Sequence, residues 1–137
     1  MIVRLAVVAA IAGSGVFGTS STASAPVARN CPRVLAPGPR APQHILAVVH
    51  SEVRHVPGFR DRRPFRVTSL STMAHVWGNS GSSGFRGIAV HQCGERVANR
   101  SWIVFLYFPG VRSASLSEGL AYFARTPAGW RLWYRWR

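Results

Sequence analysis

The sequence predicts an α+β fold: one N-terminal helix of the domain packed on a four- to five-stranded antiparallel meander sheet, an α+β roll with one disulfide. Three observations carry this. A single stretch, Gln43 to Val56, repeats its apolar residues at helical spacing; the rest alternates short apolar runs with turn residues; and two cysteines stand behind what reads as an export signal.

Residues 1–25 have the three parts of a signal peptide: Arg4, the apolar run Leu5 to Ala12, and small residues from Ser21 to Ala25. Gly13, Ser14 and Gly15 interrupt the run well before the roughly 18 apolar residues that a membrane span needs, so no transmembrane span is expected. Cleavage is expected among residues 23–25, and Pro26 disfavours a cut immediately before it, because its fixed φ and missing N–H suit an extended cleft poorly. Ala28-Arg29-Asn30 before Cys31 is unlike a lipid-attachment motif. The expected location is secreted or extracytoplasmic. There Cys31 and Cys93 should pair, closing a loop of 62 residues (93 minus 31) and stabilising the chain by roughly 4 kcal/mol through lost denatured-state entropy. The rival reading treats His91 and Cys93 as a catalytic pair on one strand face.

The elements follow in order. Prolines at 26, 32, 37, 39 and 42 make residues 26–42 an extended lead-in, expected to drape over a single domain at 43–137 and to be tied by the disulfide to the sheet. In the helix, Ile45, Val49, Val53 and Val56 share one stripe; Pro42 suits its first turn and Pro57-Gly58 ends it. Strands are expected at Phe65–Leu70, Phe85–Cys93 and Trp102–Phe108, with a shorter one at His75–Trp77 and a Gly/Ser loop at 78–84. That loop lacks the Gly-Lys-Ser/Thr ending of a phosphate loop and has Ser82 where a serine elbow needs glycine. Trp102–Phe108 is apolar on both faces, which marks a central strand covered on two sides.

Thr126-Pro127-Ala128-Gly129-Trp130 suits a three-residue hairpin loop. That loop sets Ala124 opposite Leu132, Tyr122 opposite Tyr134 and Leu120 opposite Trp136, a uniformly apolar core face. The reverse face then pairs Phe123 with Trp133, Arg125 with Arg131 and Ala121 with Arg135, with Arg137 just beyond. Aromatic rings framed by guanidinium groups can stack on a ligand while the charge engages phosphate or carboxylate, so Phe123, Arg125, Arg131, Trp133 and Arg135 are the candidate binding residues. The alternative is that Phe123 and Trp133 form a patch covered by the lead-in or by a second copy of the chain, making a homodimer.

All seventeen basic residues are arginine, set against four carboxylates, for a net charge of +13. Such an excess attracts anionic partners: wall polymer, acidic lipid surface or nucleic acid. Arg60-Asp61-Arg62-Arg63-Pro64-Phe65-Arg66 is its densest run. No catalytic, metal or cofactor motif is present. His50 and His55 are five apart, about 140° around a helix, so they cannot share a metal.

The element order, with Ser101-Trp102 and the Gly129-Trp130-Arg131-Leu132-Trp133-Tyr134 ending, resembles small secreted actinobacterial proteins of uncharacterised function and, in outline, cystatin-like and NTF2-like rolls. Cystatins carry a Gln-x-Val-x-Gly loop that Gln92-Cys93-Gly94 does not supply, so the resemblance does not extend to protease inhibition. The NTF2-like outline implies a small-ligand pocket between helix and curved sheet, with or without weak hydrolytic or isomerase chemistry. The leading expectation from the residues is a non-enzymatic binding domain for an anionic extracellular partner.

Overall fold

The apolar stripe beginning near Pro42 forms a helix, α1 (Ala41–Arg54), in the computed structural model, which describes residues 31–76 and 84–136. The expected signal peptide, the start of the lead-in, Trp77, most of the Gly/Ser loop and Arg137 lie outside the described residues. Proline occupies the first turn of α1, where a missing N–H costs no hydrogen bond, and Ala41, Ile45, Val49 and Val53 point inward at intervals of four. Val56 falls just past the helix end. The chain turns away there, Gly58 taking a left-handed φ of +84° that a side chain would resist.

Four strands follow: β1 (Arg66–Thr72), then β2 (Ser101–Tyr107), β3 (Glu118–Thr126) and β4 (Gly129–Trp136), in one antiparallel sheet of order β1-β2-β3-β4. Residues 75 and 76 are not in a strand, and neither are 85–93. The latter belong to a second helix, α2 (Phe85–Asn99). Phe85, Ala89, Cys93 and Val97 recur at a spacing of four, which is helical, and Ala89 and Val97 are buried. The helix breaks and resumes at Gly94, whose φ of +79° and ψ of 171° are non-helical.

Among the described residues each face of the sheet carries one α-helix, so the architecture is α+β with two helices rather than a one-helix roll. Under α1 lie Val104, Leu106, Phe108, Ala121, Phe123 and Trp130. On the opposite face Ile103, Leu120 and Tyr122 pack with Ala89 and Ala98 of α2 and with Met73 and Val76. Strand β2 is therefore buried on both sides, as its unbroken apolar run requires. Tyr122 is fully buried, and its hydroxyl donates to the Phe85 carbonyl at 3.2 Å, which ties the first turn of α2 to the sheet. Burial, with nearby Tyr134 adding to it, pushes that hydroxyl well above the usual tyrosine range, so it stays a neutral donor.

Cys31 and Cys93 form the expected disulfide, with their Cα atoms 5.4 Å apart. It ties the lead-in to α2 rather than to a strand, and because Cys93 is bonded it is not a nucleophile beside His91. The lead-in then crosses one end of the sheet: Val34 is buried against Val97 and Ala124, and the Leu35 N–H donates to the Arg125 carbonyl at 2.7 Å.

The hairpin departs from the expected register in its upper half. Leu120 faces Trp136, Ala121 faces Arg135 and Tyr122 faces Tyr134 as anticipated, but the loop has two residues, Pro127 and Ala128, and Thr126 pairs with Gly129. The Thr126 hydroxyl supports this tight loop, accepting from the Ala128 N–H at 3.2 Å and donating to the Gly129 carbonyl at 2.9 Å. A bulge between Tyr122 and Phe123 absorbs the difference, pairing Phe123 with Leu132, Ala124 with Arg131 and Arg125 with Trp130. Phe123 thus goes beneath α1, while Trp133 packs with the residues of the α2 side and its indole N–H donates to the Ser101 hydroxyl at 3.0 Å.

Glycine is needed at 119 for space. A Cβ there would lie 2.9 Å from Phe108 Cε2 and 3.0 Å from Phe59 Cε1, both on fully buried rings. Gly119→Ala is expected to destabilise the protein by about 1–3 kcal/mol through overpacking, read as a lower urea midpoint at unchanged slope.

Candidate functional site

Covering both sheet faces leaves the arginines only the ends and edges of the structure, and the fold sorts them into two groups beside α1. The first lies at its C-terminal end. Phe59 and Phe108 are buried with ring centroids 5.4 Å apart; the Arg135 guanidinium stands 5.8 Å from the Phe59 centroid and that of Arg62 stands 6.0 Å from Phe108. These are cation–π positions on adjoining rings. The approach of Arg135 is close because Gly58 has no side chain: a Cβ there would be 3.2 Å from Arg135 Nη1. Arg62 also donates to the Leu116 carbonyl at 3.1 Å, and the Arg63 Nε–H donates to the Arg60 carbonyl at 3.0 Å, which holds the short 3₁₀ turn Arg60–Arg62 together. Arg60 and Asp61 pair at 3.4 Å while both stay well exposed, so that pairing is weak.

The second group surrounds a cleft of about 370 Å³ at the other end of α1, where Arg40, His44 and Arg125 meet Trp130 and the Pro37-Gly38-Pro39 turn. Arg125 stands on the same sheet face as Phe123 but at its margin, exposed, donating to the Ala36 carbonyl at 3.3 Å. That margin accommodates the arginine which a two-residue loop places among apolar neighbours. The two groups lie toward opposite ends of α1, a helix about 20 Å long for its fourteen residues.

Between them the charge is neutralised. Glu52 of α1 accepts from Arg131 Nη1 at 2.7 Å, and its other oxygen accepts the Leu132 N–H at 3.0 Å. The carboxylate therefore both cancels an arginine and occupies a backbone donor on the outer edge of β4.

No family model, curated protein or solved structure matches this chain.

The five hairpin residues singled out in the sequence do not form one surface. Phe123 is buried beneath α1, Trp133 belongs to the opposite face, Arg131 is held by Glu52, and Arg125 and Arg135 fall in different groups. With Phe123 covered by α1, the Phe123/Trp133 pair is neither a stacking platform nor an open face for a second copy. The run at 60–66 was visible in the sequence; that Arg135 joins it, and that Arg40 and His44 join Arg125, depends on the hairpin register and the path of the lead-in.

The histidines do not converge. His50 stacks on Phe65 with centroids 4.8 Å apart, His75 bonds the Thr72 hydroxyl at 2.9 Å, and His55 and His91 are exposed. Among the described residues no group of three His, Cys, Asp or Glu side chains is placed to hold a metal ion, and no helix is long and apolar enough to cross a membrane.

Replacing Glu52 tests how the edge is held. Glu52→Ala is expected to cost about 1–2 kcal/mol, mainly from the orphaned Leu132 N–H, since Arg131 is half exposed and its pairing is screened. Glu52→Gln, which keeps an acceptor, should cost clearly less in the same urea titration.

Proposed function

We propose that this protein is a secreted, non-enzymatic binding domain whose partner is an extended anionic polymer outside the cell. The observation that supports this reading is the division of the arginines into two groups toward opposite ends of α1, a helix about 20 Å long, with Arg131 cancelled by Glu52. A compact anion can engage one group at a time. A chain of regularly spaced phosphates or carboxylates spans both, and the second contact then forms at the high effective concentration set by the first. Bidentate contact to phosphate or carboxylate oxygens is the natural use of arginine. The net charge of +13 draws such a polymer in from a distance, and salt weakens the attraction. Wall polymer fits this reading best; acidic lipid and nucleic acid offer the same charge in other geometries.

Binding of the full chain to purified wall teichoic acid, acidic vesicles and duplex DNA, titrated from low to physiological salt, tests the proposal. Affinity for the polymer is expected to fall steeply with salt. Arg62→Gln with Arg135→Gln, and Arg40→Gln with Arg125→Gln, should each flatten the log–log slope by roughly 1 to 2, since each lost contact removes somewhat under one released counterion. No binding to any of the three at low salt, or a slope unmoved by all four substitutions together, would overturn it.

A further inference from the structure

Helix α2 begins at Phe85 and leaves one end of its sheet face open. Beyond its first turn the sheet continues through Phe105, Leu120 and Trp136 and then through a row made by Arg66, Tyr107 and Glu118. The gap is a cleft of about 230 Å³ whose walls include Phe85, Phe105, Tyr107, Leu120, Trp136 and Glu118. Phe85 and Phe105 meet edge to face, with centroids 5.6 Å apart and planes at 83°, so two walls stand at right angles. Trp136 is 40% exposed, one of three large apolar side chains left exposed among the described residues.

Glu118 is the one charged side chain in the lining of this cleft. Glu52, Asp61 and Glu95 are each paired with an arginine; Glu118 alone among the described carboxylates makes no ion pair, in a chain with arginine to spare. Arg66, on the far side of Tyr107 from Glu118 in the row, lies over the Tyr107 ring at 4.9 Å, so one face of that ring already holds a cation. Ring faces are negative, and several of them with a carboxylate favour a positively charged guest that carries its own apolar surface. An anion would meet Glu118 and the ring faces. A sugar would find few polar partners, because the Thr68 hydroxyl in the lining already donates to the Phe105 carbonyl at 3.2 Å.

We infer that this cleft binds a small organic cation of the quaternary-ammonium class, its methyl groups against Phe105, Tyr107 and Trp136 and its charge facing Glu118. The site is on the α2 side of the sheet and is independent of the arginine groups beside α1.

Titration calorimetry of the full chain with choline chloride, and in parallel with 3,3-dimethylbutan-1-ol, the uncharged carbon isostere of choline, separates charge from shape. Choline is expected to bind about tenfold or more tightly than the alcohol. Trp136→Ala should weaken choline at least about tenfold and Glu118→Gln several-fold, each with an unchanged circular dichroism spectrum; both positions are exposed, and Trp136→Phe, which keeps an aromatic wall, should restore most of the binding. Equal affinities for the two compounds, no saturable binding of choline, or a choline affinity unmoved by Trp136→Ala and Glu118→Gln would overturn the inference.

Discussion

Strand β2 alternates Val104 and Leu106 with Ile103 and Phe105, so neither of its faces can be left to water. Each large side chain buried there is worth about 1.5–3 kcal/mol, and the rest of the fold is arranged to realise that gain on both sides at once. One helix could cover only one face. The second is supplied by α2, which the hydroxyl of Tyr122 fixes at its first turn and the Cys31–Cys93 disulfide holds further along. The disulfide also brings the lead-in across the end of the sheet, where Val34 closes the small cluster with Val97 and Ala124.

The surface follows from that constraint. With both sheet faces occupied, charged residues are driven to the strand edges, the helix ends and the connecting turns, and arginines distant in sequence become neighbours there. Phe59 illustrates the coupling: it fills the space left by Gly119 and offers its ring to Arg135. Glu52 does the reverse on the edge of β4, removing a charge while occupying a backbone donor. The aromatic cleft has the same origin, since α2 is placed to cover Leu120 and Tyr122 but stops short of Tyr107 and Trp136.

Much of this could be read from residue order. Ile45, Val49 and Val53 announced α1 because they repeat at helical spacing across a stretch bounded by Pro42 and Pro57-Gly58, and the doubly apolar run of β2 announced a covered central strand. The paired cysteines were legible too, though which element Cys93 stood on was not. Helix α2 was obscured by Gly87 and Gly94, both poor helix formers, and by Ile88 and Val90, which alternate as in a strand; the spacing of Phe85, Ala89, Cys93 and Val97 was the stronger signal. The hairpin was legible up to Tyr122 and then lost, because one bulge puts Trp130 and Leu132 on the face of Phe123 instead of that of Tyr122. The candidate site suffered for the same reason. The arginine run at 60–66 stood out by itself, but the partners that define the two groups are brought together by that bulge and by the lead-in.

The two-sided sheet depends most directly on where the bulge sends Phe123 and Trp133, and proton NOE contacts in solution resolve that. The Phe123 ring should contact Leu132 and the apolar side of α1, the Trp133 indole should contact Ser101, and residues 85–93 should give the sequential amide contacts of a helix. A direct cross-strand contact between Phe123 and Trp133, with extended backbone at 85–93, would contradict it.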